Sequence, residues 1–429
     1  MVSPMIISAD WVLPVAGPPI PGGAVAIEDG RIAAVGSSAD LGPGTQYADA
    51  AIIPGFVNAH SHLEYAVYAG FGDGLPFGDW IGMHVERKAR IEVEDMEDIA
   101  RLGAFECLRS GITAVGDCSF GGAAATACAD LGLGGTIYLE VFGEGRGAVA
   151  ERFEPMRERI AGALSDRVRL GISPHAPYTC SLELYGACDE LDLPVATHLA
   201  ESEDENEFLR TGGGAWEAFA HMLVEPLGTT GIRALAGAGL LGGQVLAAHC
   251  VMADEEEIAL LAEHDVGVAH CPRSNALLGL GIAPVADLLA AGVRVGIGTD
   301  SPASTPSFDM FEELRTAVAM ARLRGRGSNA MSAQRVLELA TLGSASALGL
   351  DNELGSLEPG KQADLAVVSL EGSPYVPWED PAGAVVMGGS ASRVLLTLVG
   401  GEVRYESGTS LWHELRQKGI EARAKLLGR

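Results

Sequence analysis

With 429 residues, 48% of them hydrophobic and 20% charged, the chain exceeds one simple core, and a large barrel with an accessory domain is expected of it. The net charge of −28 argues against a nucleic-acid partner, because a polyanion would be repelled over most of such a surface. No run of 18 apolar residues occurs, and residues 1–20 lack the basic start of a signal peptide, so a cytoplasmic protein with no membrane contact is expected.

Residues 1–53 read as short strands. The run 6–15 is broken by Pro14, and residues 24–36 form a hairpin with Asp29-Gly30 at its turn. So few strands are not stable alone. Their partners lie at the other end of the chain, in residues 363–370 and 393–405, with Gly400-Gly401 as a turn. The expected unit is a β-sandwich-like domain composed of residues 1–53 and 352–411.

Between residues 54 and 351 the pattern becomes strand, polar loop, helix, and it repeats. Strands are predicted at 56–60, 112–117, 136–142, 168–173, 194–198, 244–249, 266–270 and 293–299. Helix signals separate them, such as the capping box of Asp254 and Glu257 ahead of 255–264. Eight parallel strands with intervening helices make an α/β fold of the TIM-barrel type, (β/α)8. A doubly wound sheet fits less well, since no Gly-X-Gly-X-X-Gly follows the first strand. Residues 412–429 read as a surface helix that packs. The seven cysteines are scattered and odd in number, which suits small buried residues better than a disulfide framework.

The first barrel strand ends in His60-Ser-His62, and residues i and i+2 of a strand share a face. A lone His-X-His is weak evidence. Its weight comes from recurrence, since later strands stop at His198, His249, His270 and Asp300. A barrel gathers such ends around one mouth. His84, His221, His264 and His413 lie off strand ends and are read as ordinary residues; His270 is ambiguous, because Cys271-Pro-Arg-Ser-Asn275 looks like a loop-shaping turn.

These motifs resemble the amidohydrolase superfamily, in its branch of deaminases acting on S-adenosylhomocysteine, methylthioadenosine and aminodeoxyfutalosine. The resemblance rests on PGFVNAHSHLE (54–64), SPHAPYTCS (173–181), HLAESEDE (198–205), AAHCV (247–251), AHCPRSN (269–275), GTDSPAS (298–304) and GSLEPGKQADLAVV (355–368). It implies His60, His62, His198 and Asp300 as ligands of one divalent metal, zinc ahead of iron or manganese. It also implies Glu201 as proton shuttle and His249 as the residue orienting the attacking water, with Asp300 sharing the catalysis. Three imidazoles and a carboxylate suit such an ion. Glu203, Glu205 and Glu207 read as a solvated acidic run. Binuclear relatives use a carboxylated lysine from a barrel strand, and no lysine lies between Lys88 and Lys361. The other zinc deaminase class is set aside, because His62-Leu-Glu64 is followed by no Pro-Cys-X-X-Cys.

For the small-molecule substrate, His175 matches a family position that contacts the nucleoside, and Ser304 is a further candidate contact. Phe77 and Trp80 could meet a ring or merely pack a helix. A remote substrate carboxylate calls for an arginine, with Arg146, Arg87 and Arg90 as candidates. The stretches 77–90 and 138–143 look more like the deaminases of aminodeoxyfutalosine, a nucleoside of menaquinone biosynthesis. Alternatives are a methylthioadenosine or S-adenosylhomocysteine deaminase, a deaminase of guanine, 8-oxoguanine or a pterin, a triazine-type hydrolase, and a metal-free binding protein. A homodimer is left open.

Overall fold

The computed structural model describes residues 5–372 and 379–429. The expected composite domain also includes residues 1–4 and 373–378, which lie outside the described residues. In chain order, β1 (Met5–Val12), β2 (Ile20–Pro21), β3 (Gly23–Glu28), β4 (Arg31–Ser37) and β5 (Thr45–Pro54) come first. Next are β6 (Phe56–Ser61), β7 (Ile112–Ser119), β8 (Gly134–Val141) and β9 (Val168–Pro174). They are followed by β10 (Val195–Leu199), β11 (Val245–His249), β12 (Gly267–His270) and β13 (Arg294–Ile297). Last are β14 (Leu365–Ser369), β15 (Val394–Val399) and β16 (Glu402–Glu406).

The terminal strands pair as one sheet in the order β16-β15-β14-β5-β1-β3-β4, with β2 on β1. Its pairs are antiparallel except β1 with β5. Strands from both ends of the chain thus meet where β14 lies along β5. Ile7, Val25, Ile52, Leu365 and Leu398 are among the buried residues that form its core.

β6 to β13 pair in parallel in strict sequence order. A doubly wound sheet would reverse its order at a switch point; this one instead nearly closes on itself. The closing contacts are a bridge between Ser61 and Asp300 and two hydrogen bonds between Asn58 and Thr299, of 2.7 and 2.9 Å. β6, β7 and β8 are buried along their whole length, as expected of strands covered on both faces. Inside the barrel, Val57, Ala114, Tyr138, Ala196 and Leu246 pack against Ala345, Leu348, Leu350 and Leu354. That segment plugs the lower end, so the accessible mouth is the one where the strands finish.

The C-terminal helix, Leu411–Leu426, packs on the helix Val93–Arg109, with Trp412 stacked on Phe105. Its Arg423 donates to the carbonyls of Val67 and Ala69, which pins the loop after β6. Among the described residues no helix is long and apolar enough to cross a membrane.

One buried carboxylate ties the barrel to the terminal sheet. Asp364 accepts from Arg167 Nη2 at 2.9 and 3.1 Å and from the Gly400 amide at 2.8 Å. Removing one member of a buried pair leaves the other uncompensated, and Arg167 is only 28% exposed. Asp364→Ala is therefore expected to lower unfolding stability by about 2–3 kcal/mol. An unchanged urea midpoint would show that this tie contributes nothing.

Candidate active site

The candidate residues sit where strands stop. β6 carries His60, with His62 one residue beyond its end; β10 carries His198; β11 ends on His249; and Asp300 follows β13. Here the backbone turns sharply. Ala200, His249, Cys250 and Asp300 have φ of 51°, 74°, 48° and 56°, left-handed values that are strained for residues with a Cβ. The turns aim Glu201, His249 and Asp300 inward instead of continuing the strands. Gly298 completes the floor, where a Cβ would meet the Cβ of His60 at 2.8 Å.

Hydrogen bonds fix the histidine tautomers. His62 Nδ1 donates to the Cys118 carbonyl at 2.8 Å, and His198 Nδ1 donates to the His175 carbonyl at 2.9 Å. Each ring then presents an unprotonated Nε2, and the two Nε2 atoms lie 3.3 Å apart. Two lone pairs facing each other repel unless a cation lies between them. A tetrahedral ion with nitrogen ligands at ~2.0–2.1 Å spaces those ligands by about 3.3 Å. His60 Nε2 is buried and has no hydrogen-bond partner. It lies 3.8 Å from Asp300 Oδ1, which is 3.6 Å from His62 Nε2. An orphaned nitrogen, two facing lone pairs and a carboxylate oxygen fit a divalent cation.

The protonation states agree. Burial first, and then the neighbouring imidazoles, push His60 well below its usual value. Burial likewise brings His62 down to about 4 and His198 to about 3. Burial alone would raise Asp300, but His249, His62 and the hydroxyls of Ser274 and Ser304 hold it below the usual carboxylate range. Ser304, predicted as a substrate contact, instead donates to Asp300 Oδ2 at 2.8 Å, and Ser274 does so at 2.6 Å. These two hydroxyls occupy one carboxylate oxygen and leave Oδ1 for the cation.

Beside this cluster, Glu201 Oε1 lies 3.5 Å from His249 Nε2. Burial pushes Glu201 up to about 7, against the pull of His249. His249 is raised although burial opposes it, because Glu201 and Asp300 favour its charged form. Its Nδ1 donates to Asn275 Oδ1 at 3.0 Å. Glu205, expected in a solvated acidic run, is instead buried and accepts from the amides of Ala200 and Glu201 at 2.9 and 2.8 Å. It holds the turn that carries Glu201. Cys271–Asn275 likewise does more than shape a loop, because it supplies both Ser274 and Asn275.

The cluster forms the base of a cavity of about 540 Å³. Phe77, Trp80, Tyr178, Trp216, Met222 and Leu223 line its apolar part, so Phe77 and Trp80 do face the cavity. His175 lines it too, with Nδ1 2.8 Å from Thr179 Oγ1 and its ring against Phe142. His84, read as an ordinary residue, is in the wall against Trp80. The arginine candidates are elsewhere. Arg146 pairs with Glu190 on the surface, Arg90 with Glu86, and Arg87 covers the Phe71 ring at 4.0 Å. Among the described lining residues, Lys88 is the one lysine or arginine, its ammonium brought down to about 8 by burial, and Glu140 faces the same space.

The prediction from this geometry is about one tightly bound divalent ion per chain. His62→Ala should lose both the ion and the activity. Elemental analysis giving two ions per chain, or an ion retained by that variant, would overturn the four-ligand assignment.

A model of the amidohydrolase family matches residues 51–404, and a bacterial imidazolonepropionase-like composite domain matches residues 23–42. A 5-methylthioadenosine/S-adenosylhomocysteine deaminase of Moorella thermoacetica is 35% identical over 91% of this chain and 92% of its own length. A 5′-deoxyadenosine deaminase of Methanothermobacter thermautotrophicus is 34% identical over 90% of each chain. Among solved structures, an adenosine deaminase from Xanthomonas campestris with bound zinc superposes with a TM-score of 0.89, at 28% identity over 100% of this chain and 99% of that one. With 354 residues of barrel and terminal sheet matched by its model, and these relatives over nine-tenths of the length, the chain belongs to the amidohydrolase family.

Proposed function

We propose that the protein is a zinc-dependent hydrolytic deaminase of a 6-aminopurine nucleoside, releasing ammonia. The observation that carries this reading is Glu201, paired with His249 and adjoining the cation ligands, at the base of an aromatic-walled cavity. Zinc is the proposed ion because the site is rich in imidazole and the Xanthomonas relative holds it. Bound there, it would supply a Lewis acid and an acidified water.

The chain's own groups then move protons. Glu201 accepts one from the attacking water and passes it to the ring nitrogen next to the reacting carbon. It returns another to the departing amine, so that water and the C–NH₂ bond become C=O and ammonia. His249, held by Asn275, keeps the water oriented, and Asp300 shares the proton traffic.

The favoured substrate is aminodeoxyfutalosine. Its aryl 5′ substituent suits Phe77, Trp80 and Trp216, and its carboxylate meets no arginine among the described lining residues, where Lys88 is the one strong base. Methylthioadenosine, with a small apolar 5′ group, is the second reading, and the names of the relatives favour it. Burying an aromatic substituent is worth about 1.5–3 kcal/mol. That corresponds to roughly 10- to 150-fold in kcat/KM over adenosine, at ~1.4 kcal/mol per decade. Ammonia release across a nucleoside panel tests it. Equal turnover of adenosine would refute the role of the aromatic wall, and turnover of guanine or triazines alone would refute the substrate class.

Glu201→Gln keeps shape and removes the proton carrier. Bound metal should stay while kcat falls by roughly 10²–10⁴. Because Glu201 must be ionised to accept a proton, activity should fall as the pH drops through its pKa. Burial sets that value at about 7 in the ion-free site, and a bound dication lowers it. The acid limb of the wild-type profile should therefore lie no higher than about pH 7 and be absent from the variant. A limb that persists in Glu201→Gln would assign it to another group.

A further inference from the structure

The segment Cys271–Asn275, which follows β12, is held by a buried ion pair that the proton transfers do not use. Glu313 stands in the first turn of the helix Met310–Gly325 and is fully buried. Its Oε2 accepts from the Arg273 amide at 3.1 Å, and its Oε1 lies 3.3 Å from Arg273 Nη1. The same Nη1 donates to the carbonyls of Ser307 and Asp309, at 3.4 Å each. One buried side chain therefore grips two segments. The first is its own, which sends Ser274 to Asp300 Oδ2 at 2.6 Å and Asn275 to His249 at 3.0 Å. The second is the loop 301–309, which sends Ser304 to the same carboxylate oxygen at 2.8 Å.

A buried ion pair is weak ground for stability. Taking both charges out of water costs about as much as their attraction returns, and uncharged residues of similar volume often serve as well. Neither Arg273 nor Glu313 lines the cavity, so ligand binding does not account for them either. What the pair supplies is direction. A carboxylate on a backbone amide and a planar guanidinium across two carbonyls leave the segment one place to sit. Asp300 and His249 inherit that placement. Without it the Ser274 hydroxyl can leave Oδ2, the Asp300 carboxylate can rotate, and His249 loses the acceptor that fixes its ring. We infer that Arg273 and Glu313 are positioning residues, which hold Ser274 and Asn275 so that Asp300 keeps Oδ1 turned to the cation and His249 keeps Nε2 turned to Glu201. The expected change in rate rests on the deaminase reading above; the expected change in ion retention does not.

The test uses metal-loaded wild type, Arg273→Met and the double variant Arg273→Met/Glu313→Gln. The double variant removes both charges and keeps an acceptor for the residue-273 amide, so its urea midpoint should match that of the wild type. Its ion should nonetheless pass to a chelator about 10- to 100-fold faster, and kcat should fall by a similar factor while KM changes less than about threefold. The cobalt-substituted form should show a shifted visible absorption band as the Asp300 carboxylate turns. In a Ser274→Ala/Ser304→Ala background, adding Arg273→Met should hasten ion loss by no more than about twofold, because all three changes act through the same carboxylate oxygen. Wild-type ion retention and kcat in the double variant overturn the inference. Effects of Arg273→Met and of the two serine changes that simply multiply overturn it as well, and that comparison decides if the double variant does not fold. A wild type that holds its ion but deaminates no nucleoside refutes the proposed reaction and leaves ion retention to decide the role of the pair. A wild type that binds no ion overturns both readings together.

Discussion

Two backbone carbonyls determine what the base of this barrel can bind. The carbonyls of Cys118 and His175 each take the Nδ1 proton of a histidine and leave two bare Nε2 atoms 3.3 Å apart. In water such rings would separate or take up a proton. Here burial forbids the proton, and the strand ends forbid separation. A cation resolves the repulsion, and the orphaned Nε2 of His60 waits at the same place. The carbonyl of Cys118 sits where it does because β7 runs parallel beside β6, with Asp117 paired to Ser61 after a shift in register. The metal-binding chemistry is thus a consequence of parallel strand pairing.

The same dependence extends to the barrel seam. Asp300 is placed by its amide bonding to the His60 carbonyl and by the bridge to Ser61. The closing contacts between β6 and the end of β13 therefore bring His60 and Asp300 together. Left-handed φ at Asp300 is tolerated because these contacts over-determine the backbone, and at His249 the next amide, of Cys250, is held by the Leu199 carbonyl. The plug at the opposite end supplies apolar burial that offsets this strain. Stability is concentrated at the floor of the barrel, chemistry at its mouth.

The barrel was legible in the sequence because buried parallel strands write themselves as apolar runs between turn residues. β8 begins earlier than predicted, at Gly134 rather than residue 136, because two glycines hide a strand start. Gly135 is needed there, since a Cβ would stand 1.9 Å from the Val115 carbonyl oxygen. The proposed ligands were legible as strand-end residues, and Glu201 only through the family resemblance. What escaped was everything whose role depends on a partner distant in sequence. Glu205 did carry a signal, because Ser202 caps its helix and a glutamate three residues after a cap often folds back. Lys88 and Glu140 carried none individually. Each lies in a stretch that looked distinctive, and only the fold shows that the two stretches meet.

The failed arginine prediction follows from charge statistics. With 57 acidic and 29 basic residues, an exposed arginine meets a carboxylate almost anywhere on this surface. Arg146 finds Glu190, Arg90 finds Glu86, and Arg233 finds Asp254, Glu256 and Glu257. Such pairs contribute little stability, but they leave few free guanidinium groups for a ligand. A cation reserved for the cavity must therefore be shielded from the acidic surface. Lys88 meets that condition, because Phe120 and Tyr65 cover it and the Glu140 carboxylate balances it from within. The cavity divides into a polar corner holding Lys88 and Glu140 and an apolar chamber of aromatic rings. A substrate that fills both must turn polar groups toward Lys88 and Glu140 and apolar surface toward Phe77, Trp80 and Trp216.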